Sequence, residues 1–234
     1  MRAGLKESSK RLKQLKNQLK PSRLLSPRRF KEGVALKVIS FDLVGTLVSS
    51  EFIDYFWLEG LPREYAKHKG MPLKKAKDIV LKLYDEIGED DIRWYLPLYW
   101  ERKLGVNVER VLDESAQYIK AIPKGLRLLE KVDSKGGVYI LTNTSIEFVD
   151  LVFKKLHVVR ENVVGVFSCV SHFMLTRKTE KFYYLVLKAL GCSPENVIHI
   201  GDNITYDVKV PRKIGIRAYN INDEKLSFLL EKLI

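Results

Sequence analysis

Five short runs of β-branched and aromatic residues, each about as long as a strand, recur along the chain. They read KVISF (37–41), GVYIL (137–141), VGVFSCV (164–170), NVIHI (196–200) and IRAYNI (216–221). The later runs are separated by the helical stretches SIEFVDLVFKKLH, TEKFYYLVLKALG and ITYDVKVPRKIG, with Gly191 and Gly215 at the expected helix ends. Strand–helix alternation of this kind predicts an α/β fold, a parallel sheet covered by helices on both faces.

One region breaks the alternation. Residues 50–121 contain no convincing strand but several amphipathic stretches, among them SEFIDYFWLEGLPREYAKH, MPLKKAKDIVLKLYDEIG and DDIRWYLPLYWERKLG. So many helical residues are too long for a connection between neighbouring strands. They predict a helical domain inserted directly after the first strand, leaving a core made of residues 37–49 and 122–234.

Charge sets the first 36 residues apart. They hold eleven Lys/Arg against two acids, whereas the rest of the chain is nearly balanced. Leu5, Leu12, Leu15 and Leu19 fall at helical spacing before Pro21 and Pro27. This predicts a basic amphipathic extension able to touch an anionic surface or nucleic acid. Nothing in it is needed by the sheet, and translation starting nearer residue 36 is an open alternative. The near-neutral body argues against a nucleic-acid-binding fold. No apolar run approaches the roughly 20 residues that span a bilayer. The charged first 30 residues lack a secretory apolar region. With Cys169 and Cys192 in or beside apolar stretches, the expected setting is a reducing cytoplasm.

In open α/β sheets, ligands bind beyond the carboxyl ends of the strands. Asp42 and Thr46 follow the first strand, Thr142 and Asn143 the second, and HIGD delivers Asp202, with Asp207 five residues on. Lys178 follows the third run. Three carboxylates brought together repel one another, and an all-oxygen set favours a hard cation such as Mg²⁺. Lysine and threonine hydroxyls beside that ion suit a phosphate group. A carboxylate so placed can attack phosphorus.

These residues carry a family resemblance. FDLVGTL, LTN, Lys178 within RKTEKFYY, and GDNITYD resemble, in order and spacing, the four motifs of the haloacid dehalogenase superfamily, over roughly residues 37–221. The resemblance implies a Rossmann-like core, and the inserted helices correspond to the family's first-type cap. It makes Asp42 the nucleophile and has Thr142, with the Asn143 amide, hold a phosphoryl oxygen. Lys178 would tie that oxygen to Asp42. Asp202 would bind Mg²⁺ together with Asp42 and the backbone carbonyl of Val44, supported by Asp207. The implied substrate is a small phosphorylated metabolite.

Val44 departs from the pattern. Phosphatases of the family carry an acid two residues after the nucleophile, and valine supplies no proton. General acid–base catalysis is worth about 10²–10⁴-fold. Its loss weakens the reaction but leaves the attack by Asp42 possible. A metal-independent 2-haloacid dehalogenase-like activity is one alternative, although Asp202 argues for a metal. A phosphonatase-like activity is another and needs an insert lysine, for which Lys67, Lys69, Lys74, Lys75, Lys77 and Lys82 are candidates. A third is a catalytically weak protein with a binding role. The insert aromatics are expected to pack among themselves; the alternative for Phe56 and Trp57, the pair nearest the Asp42 loop, is to roof the site as substrate-side residues and exclude water. His199, within VIHI, reads as a core histidine.

Overall fold

β1 (Val38–Phe41) is the central strand of a five-stranded sheet in the computed structural model, which describes residues 37–132, 136–226 and 228. The basic segment 1–36 and its expected amphipathic helix lie outside the described residues. β1 pairs in parallel with β2 (Val138–Thr142) on one side and with β4 (Val197–Gly201) on the other. Beyond these lie β3 (Gly165–Ser168) and β5 (Arg217–Asn220), giving the parallel order β3-β2-β1-β4-β5. Every residue of β1 to β4 is buried. That accounts for their largely apolar runs, because helices cover both faces of such a sheet. The fold is the expected Rossmann-like α/β type.

The chain moves outward from β1 through β2 to β3, then returns past β1 to β4. This reversal opens a crevice at the carboxyl ends of β1 and β4, where ligands bind in open sheets. The register is set there by Phe41, which lies opposite both Ile140 and Ile200, and by the Asp42 N–H, which donates to the Ile200 carbonyl at 2.8 Å.

Between β1 and β2 the chain forms α1 (Glu51–Tyr55), a π turn (Phe56–Gly60), α2 (Leu61–Lys69) and α3 (Leu73–Ile87). A 3-10 turn (Ile92–Tyr95), α4 (Pro97–Leu104) and α5 (Val108–Ser115) follow. In α3 the buried residues Ala76, Val80 and Tyr84 recur every fourth position, the spacing that keeps one helix face inward. The two connecting segments run side by side. Val48 forms an antiparallel bridge with Ala121, and the flanking bonds join Ser49 N to Lys120 O and Ile122 N to Leu47 O, each at 2.9 Å. After α6 (Pro123–Lys131) and β2 come α7 (Ile146–Lys155), α8 (His157–Asn162), α9 (Cys169–Phe173), α10 (Glu180–Leu190) and α11 (Val210–Lys213).

The insert does not close a hydrophobic core of its own. Phe148 of α7 stands among its rings, 4.9 Å from Phe56 and 6.0 Å from both Phe52 and Trp57 between centroids. One continuous buried cluster thereby joins Ile39 and Ile140 of the sheet to Val80, Trp100 and Val111 of the insert.

The run 164–170 departs from its sequence reading. The strand stops at Ser168, whose Oγ accepts the Ser171 N–H at 3.0 Å and starts α9. A serine able to cap a helix outweighs the β propensity of the residues after it.

Candidate active site

Three carboxylates meet at the end of the central strands. Asp42 follows β1, Asp202 follows β4, and Asp207 lies on the short π-helical segment Ile204–Lys209 after it. One carboxylate oxygen from each falls within 4.8 Å of the others, the only such cluster of possible metal ligands among the described residues.

Two glycines permit this approach. Gly45 has φ of +86°, and a side chain there would run into the Asp202 carboxylate. A side chain at Gly201 would collide in the same way with Asp207. Thr46 Oγ donates to Asp202 Oδ1 at 3.3 Å, and Asn220 Nδ2 donates to the Asp202 carbonyl at 2.8 Å. Asn203 Oδ1 accepts the N–H groups of Thr205 and Tyr206, both at 3.0 Å, and its own N–H donates to Asp207 Oδ2 at 3.1 Å. The GDNITYD segment is thus folded back on itself by Asn203, which aims Asp207 toward the strand ends.

Lys178 is the buried cation of the cluster. Its Nζ donates to Asp42 Oδ1 at 2.7 Å and to the Leu141 carbonyl at 3.3 Å, and it lies 2.5 Å from Asp207 Oδ1. Burial opposes its charge, but Asp42 and Asp207 outweigh burial and hold its pKa above the ordinary lysine value. One lysine is shared by two acids, and they fare differently. Burial pushes Asp42 up, and Lys178 pulls it back only as far as about 7. Burial also pushes Asp207 up, but Lys178 and His199 together hold it well below the usual carboxylate range. Asp202 is raised by burial and then by the charge of Asp207. A second cation would relieve the two raised acids, and three carboxylates with no sulfur ligand suit a hard ion.

His199 is fully buried in β4, as expected of a core histidine, yet it also touches the site. Burial lowers its pKa against the pull of Asp207. Nε2 lies 3.2 Å from Asp207 Oδ1 and Nδ1 lies 2.9 Å from Ser40 Oγ. Ser40 Oγ also donates to the Ile198 carbonyl at 3.2 Å, which ties the ring to the backbone of its own strand.

A cavity of about 330 Å³ opens over the cluster. Asp42, Val44, Thr142, Asn143, Lys178, Asp202 and Asp207 line it, together with Thr144, Thr176 and Asn203. Asn143 Oδ1 is buried there with no hydrogen-bond partner, a polar atom left for a ligand. Thr142 Oγ1 accepts the Thr144 N–H at 3.1 Å, which shapes the turn after β2.

Three of the expected substrate-side residues are placed elsewhere. Phe56 and Trp57 do not line the cavity; they pack on Phe148 instead of roofing the site. Helical spacing alone could not tell which of their faces turned inward. Thr46 is fully buried and serves Asp202 rather than the cavity wall. None of the six insert lysines lines the cavity.

Sequence reasoning also missed Glu89, Tyr95, Arg177 and Tyr206, all of which line it. Arg177 and Tyr206 lie within or beside motifs already singled out, so their position was the available signal. Glu89 and Tyr95 had none, because the path of the insert brings them to the mouth.

The model of haloacid dehalogenase-like hydrolases matches residues 36–215 of the chain. The GMP/IMP nucleotidase YrfG of Escherichia coli K12 is similar at 21% identity over 165 residues, which is 70% of this chain and 73% of that protein. Among solved structures, a haloacid dehalogenase phosphatase from Thermococcus onnurineus superposes with a TM-score of 0.65 at 18% identity, covering 83% of this chain and 97% of its own. A family enzyme from Bacteroides thetaiotaomicron, in a mutant complexed with magnesium and inorganic phosphate, gives 0.55 at 18% identity, covering 79% and 93%. The strand order with its carboxylates at the switch point, taken with a family match spanning most of the chain, makes this protein a haloacid dehalogenase-like hydrolase.

Proposed function

We propose that the protein is a Mg²⁺-dependent phosphohydrolase acting on a small phosphorylated metabolite through an aspartyl-phosphate on Asp42. The observation that carries this reading is the cluster of three carboxylates within 4.8 Å, beside a buried lysine. Asp42, Asp202 and the backbone carbonyl of Val44 would hold the ion, with Asp207 behind them. When bound, it would offset negative charge on the phosphate and keep Asp42 ionised.

Lys178 engages Asp42 Oδ1, so attack on phosphorus falls to Oδ2. The new Oδ2–P bond forms as the bond from phosphorus to the leaving oxygen breaks, and the leaving group carries away the electron pair. Thr142, the Asn143 amide and Lys178 would hold phosphoryl oxygens during this transfer. Water then attacks phosphorus, frees inorganic phosphate and restores the Asp42 carboxylate. Valine at position 44 gives the leaving oxygen no proton, so weakly basic leaving groups should depart best.

The name of the Escherichia coli relative makes nucleoside monophosphates the first metabolites to assay. The helical segment 50–121 is read as the cap, which would set the choice among them. The metal-independent dehalogenase reading draws on Val44 alone.

The test is phosphate release from aryl and nucleoside monophosphates with and without Mg²⁺, using wild type and Asp42→Asn. Metal-dependent release that vanishes in a folded variant is the expected result. Turnover that survives in Asp42→Asn would remove the covalent mechanism.

A further inference from the structure

The mouth of the cavity carries charges that phosphate transfer at its floor does not need. Arg177 comes from the loop that bears Lys178, whereas Glu89 and Tyr95 come from the insert. Arg177 Nη2 lies 3.1 Å from Glu89 Oε1 and 3.0 Å from Asp90 Oδ1. Two carboxylates therefore face one guanidinium, leaving one negative charge uncompensated. The other cation lining the cavity, Lys178, is held by Asp42 and Asp207. Both cations that an incoming anion would meet are thus already engaged by acids of the protein. Tyr95 and Tyr206 complete the wall with phenol rings rather than charges.

We infer that this mouth selects phosphomonoesters whose leaving alcohol carries no negative charge, and rejects those with a second phosphate or a carboxylate. The inference rests on the phosphohydrolase reading and narrows its substrate class to uncharged leaving groups, such as a sugar or nucleoside. An anionic leaving group must lie beside Glu89 and Asp90, or draw Arg177 away from both and leave them unpaired next to it. Either course raises the barrier for that substrate alone, which is discrimination by repulsion. The side chains of Glu89 and Asp90 are 71% and 86% exposed, so solvent and salt weaken the effect.

Phenyl phosphate and 4-carboxyphenyl phosphate differ by one carboxylate on a leaving phenol of similar acidity, so the ratio of their kcat/KM values reads this selection. In wild type at low ionic strength, phenyl phosphate should be favoured by about tenfold, and salt should shrink the preference. Glu89→Gln with Asp90→Asn releases Arg177 and should bring the ratio to about one or invert it. Arg177→Gln leaves the two acids uncompensated and should widen it. A wild-type ratio near one, or a ratio that the double variant does not move, would overturn the inference while leaving the phosphohydrolase reading intact. Hydrolysis of neither ester by wild type would sink both.

Discussion

Lys178 Nζ meets Asp42 Oδ1 at 2.7 Å, an ion pair between a side chain after β1 and one 136 residues later, with both partners buried. The same ammonium serves Asp207. Removing it leaves three acids with no cation from the protein. Lys178→Met should therefore cost about 3–5 kcal/mol of stability, the usual consequence of stripping one partner from a buried pair. Turnover should fall by about 10²–10³-fold, as for loss of a donor that holds a charged transition state. Thermal unfolding and phosphate release check the two effects separately.

Asp202 and Asp207 should fail in different ways. Asp207 is fully buried and bonded to His199, Lys178 and the Asn203 N–H, so Asp207→Ala leaves several polar groups unpaired. It should lower the melting temperature sharply. Asp202 is only half-buried and its side-chain bond from Thr46 is long, so Asp202→Ala should fold well but need much more Mg²⁺. Melting curves and metal titrations on both variants test this. A stable Asp207→Ala that needs more Mg²⁺ than Asp202→Ala does would reverse the two assignments.

Val44 lines the cavity where a proton donor would stand. Val44→Asp should raise kcat/KM for alkyl phosphates by up to about 10²-fold and change aryl phosphates little. Equal changes for both ester types would mean that the missing acid does not limit the reaction.

His172 offers a pH dependence independent of the carboxylate cluster. Its Nδ1 accepts the Ser168 N–H at 2.8 Å, and burial lowers its pKa from 6.5 to about 4. Between those values the unfolded chain takes up a proton that the folded chain refuses, so stability is lost as pH falls from 6.5 toward 4. The slope is at most about 1.4 kcal/mol per pH unit, and less for a half-exposed ring. His172→Asn keeps an acceptor at that point but does not titrate. Melting temperatures taken from pH 7 to pH 5 should fall less steeply for this variant than for wild type.

The sheet was legible because each fully buried strand is a largely apolar run followed by turn or helix signals, and Asp42 and Thr142 mark two of the ends. Asp202 was legible for the same reason. The meeting of Lys178 with Asp42 came through family resemblance, since no local pattern states which loop residues face a strand end. The direction of Phe56 and Trp57 was open between packing and roofing because the partner that decides it, Phe148, belongs to a helix almost a hundred residues away. Ser168 misled by propensity, its capping bond being visible only once Ser171 is in place. The mouth residues Glu89 and Tyr95 depend on the whole path of the insert, which amphipathic spacing does not encode.

Phe148 also bears on how the molecule comes apart. An insert with its own interior could unfold alone, but here the ring that fills the insert's underside is anchored to the body. Separating the two would uncover Phe52, Phe56 and Phe148 together, a loss of burial worth several kcal/mol at about 25 cal/mol per Å². The chain crosses between insert and body at the paired segments around Val48 and Ala121. Denaturant should unravel insert and body in one cooperative step, and a chain excised of residues 50–121 would be left with an aromatic side chain exposed to water where its partners had been.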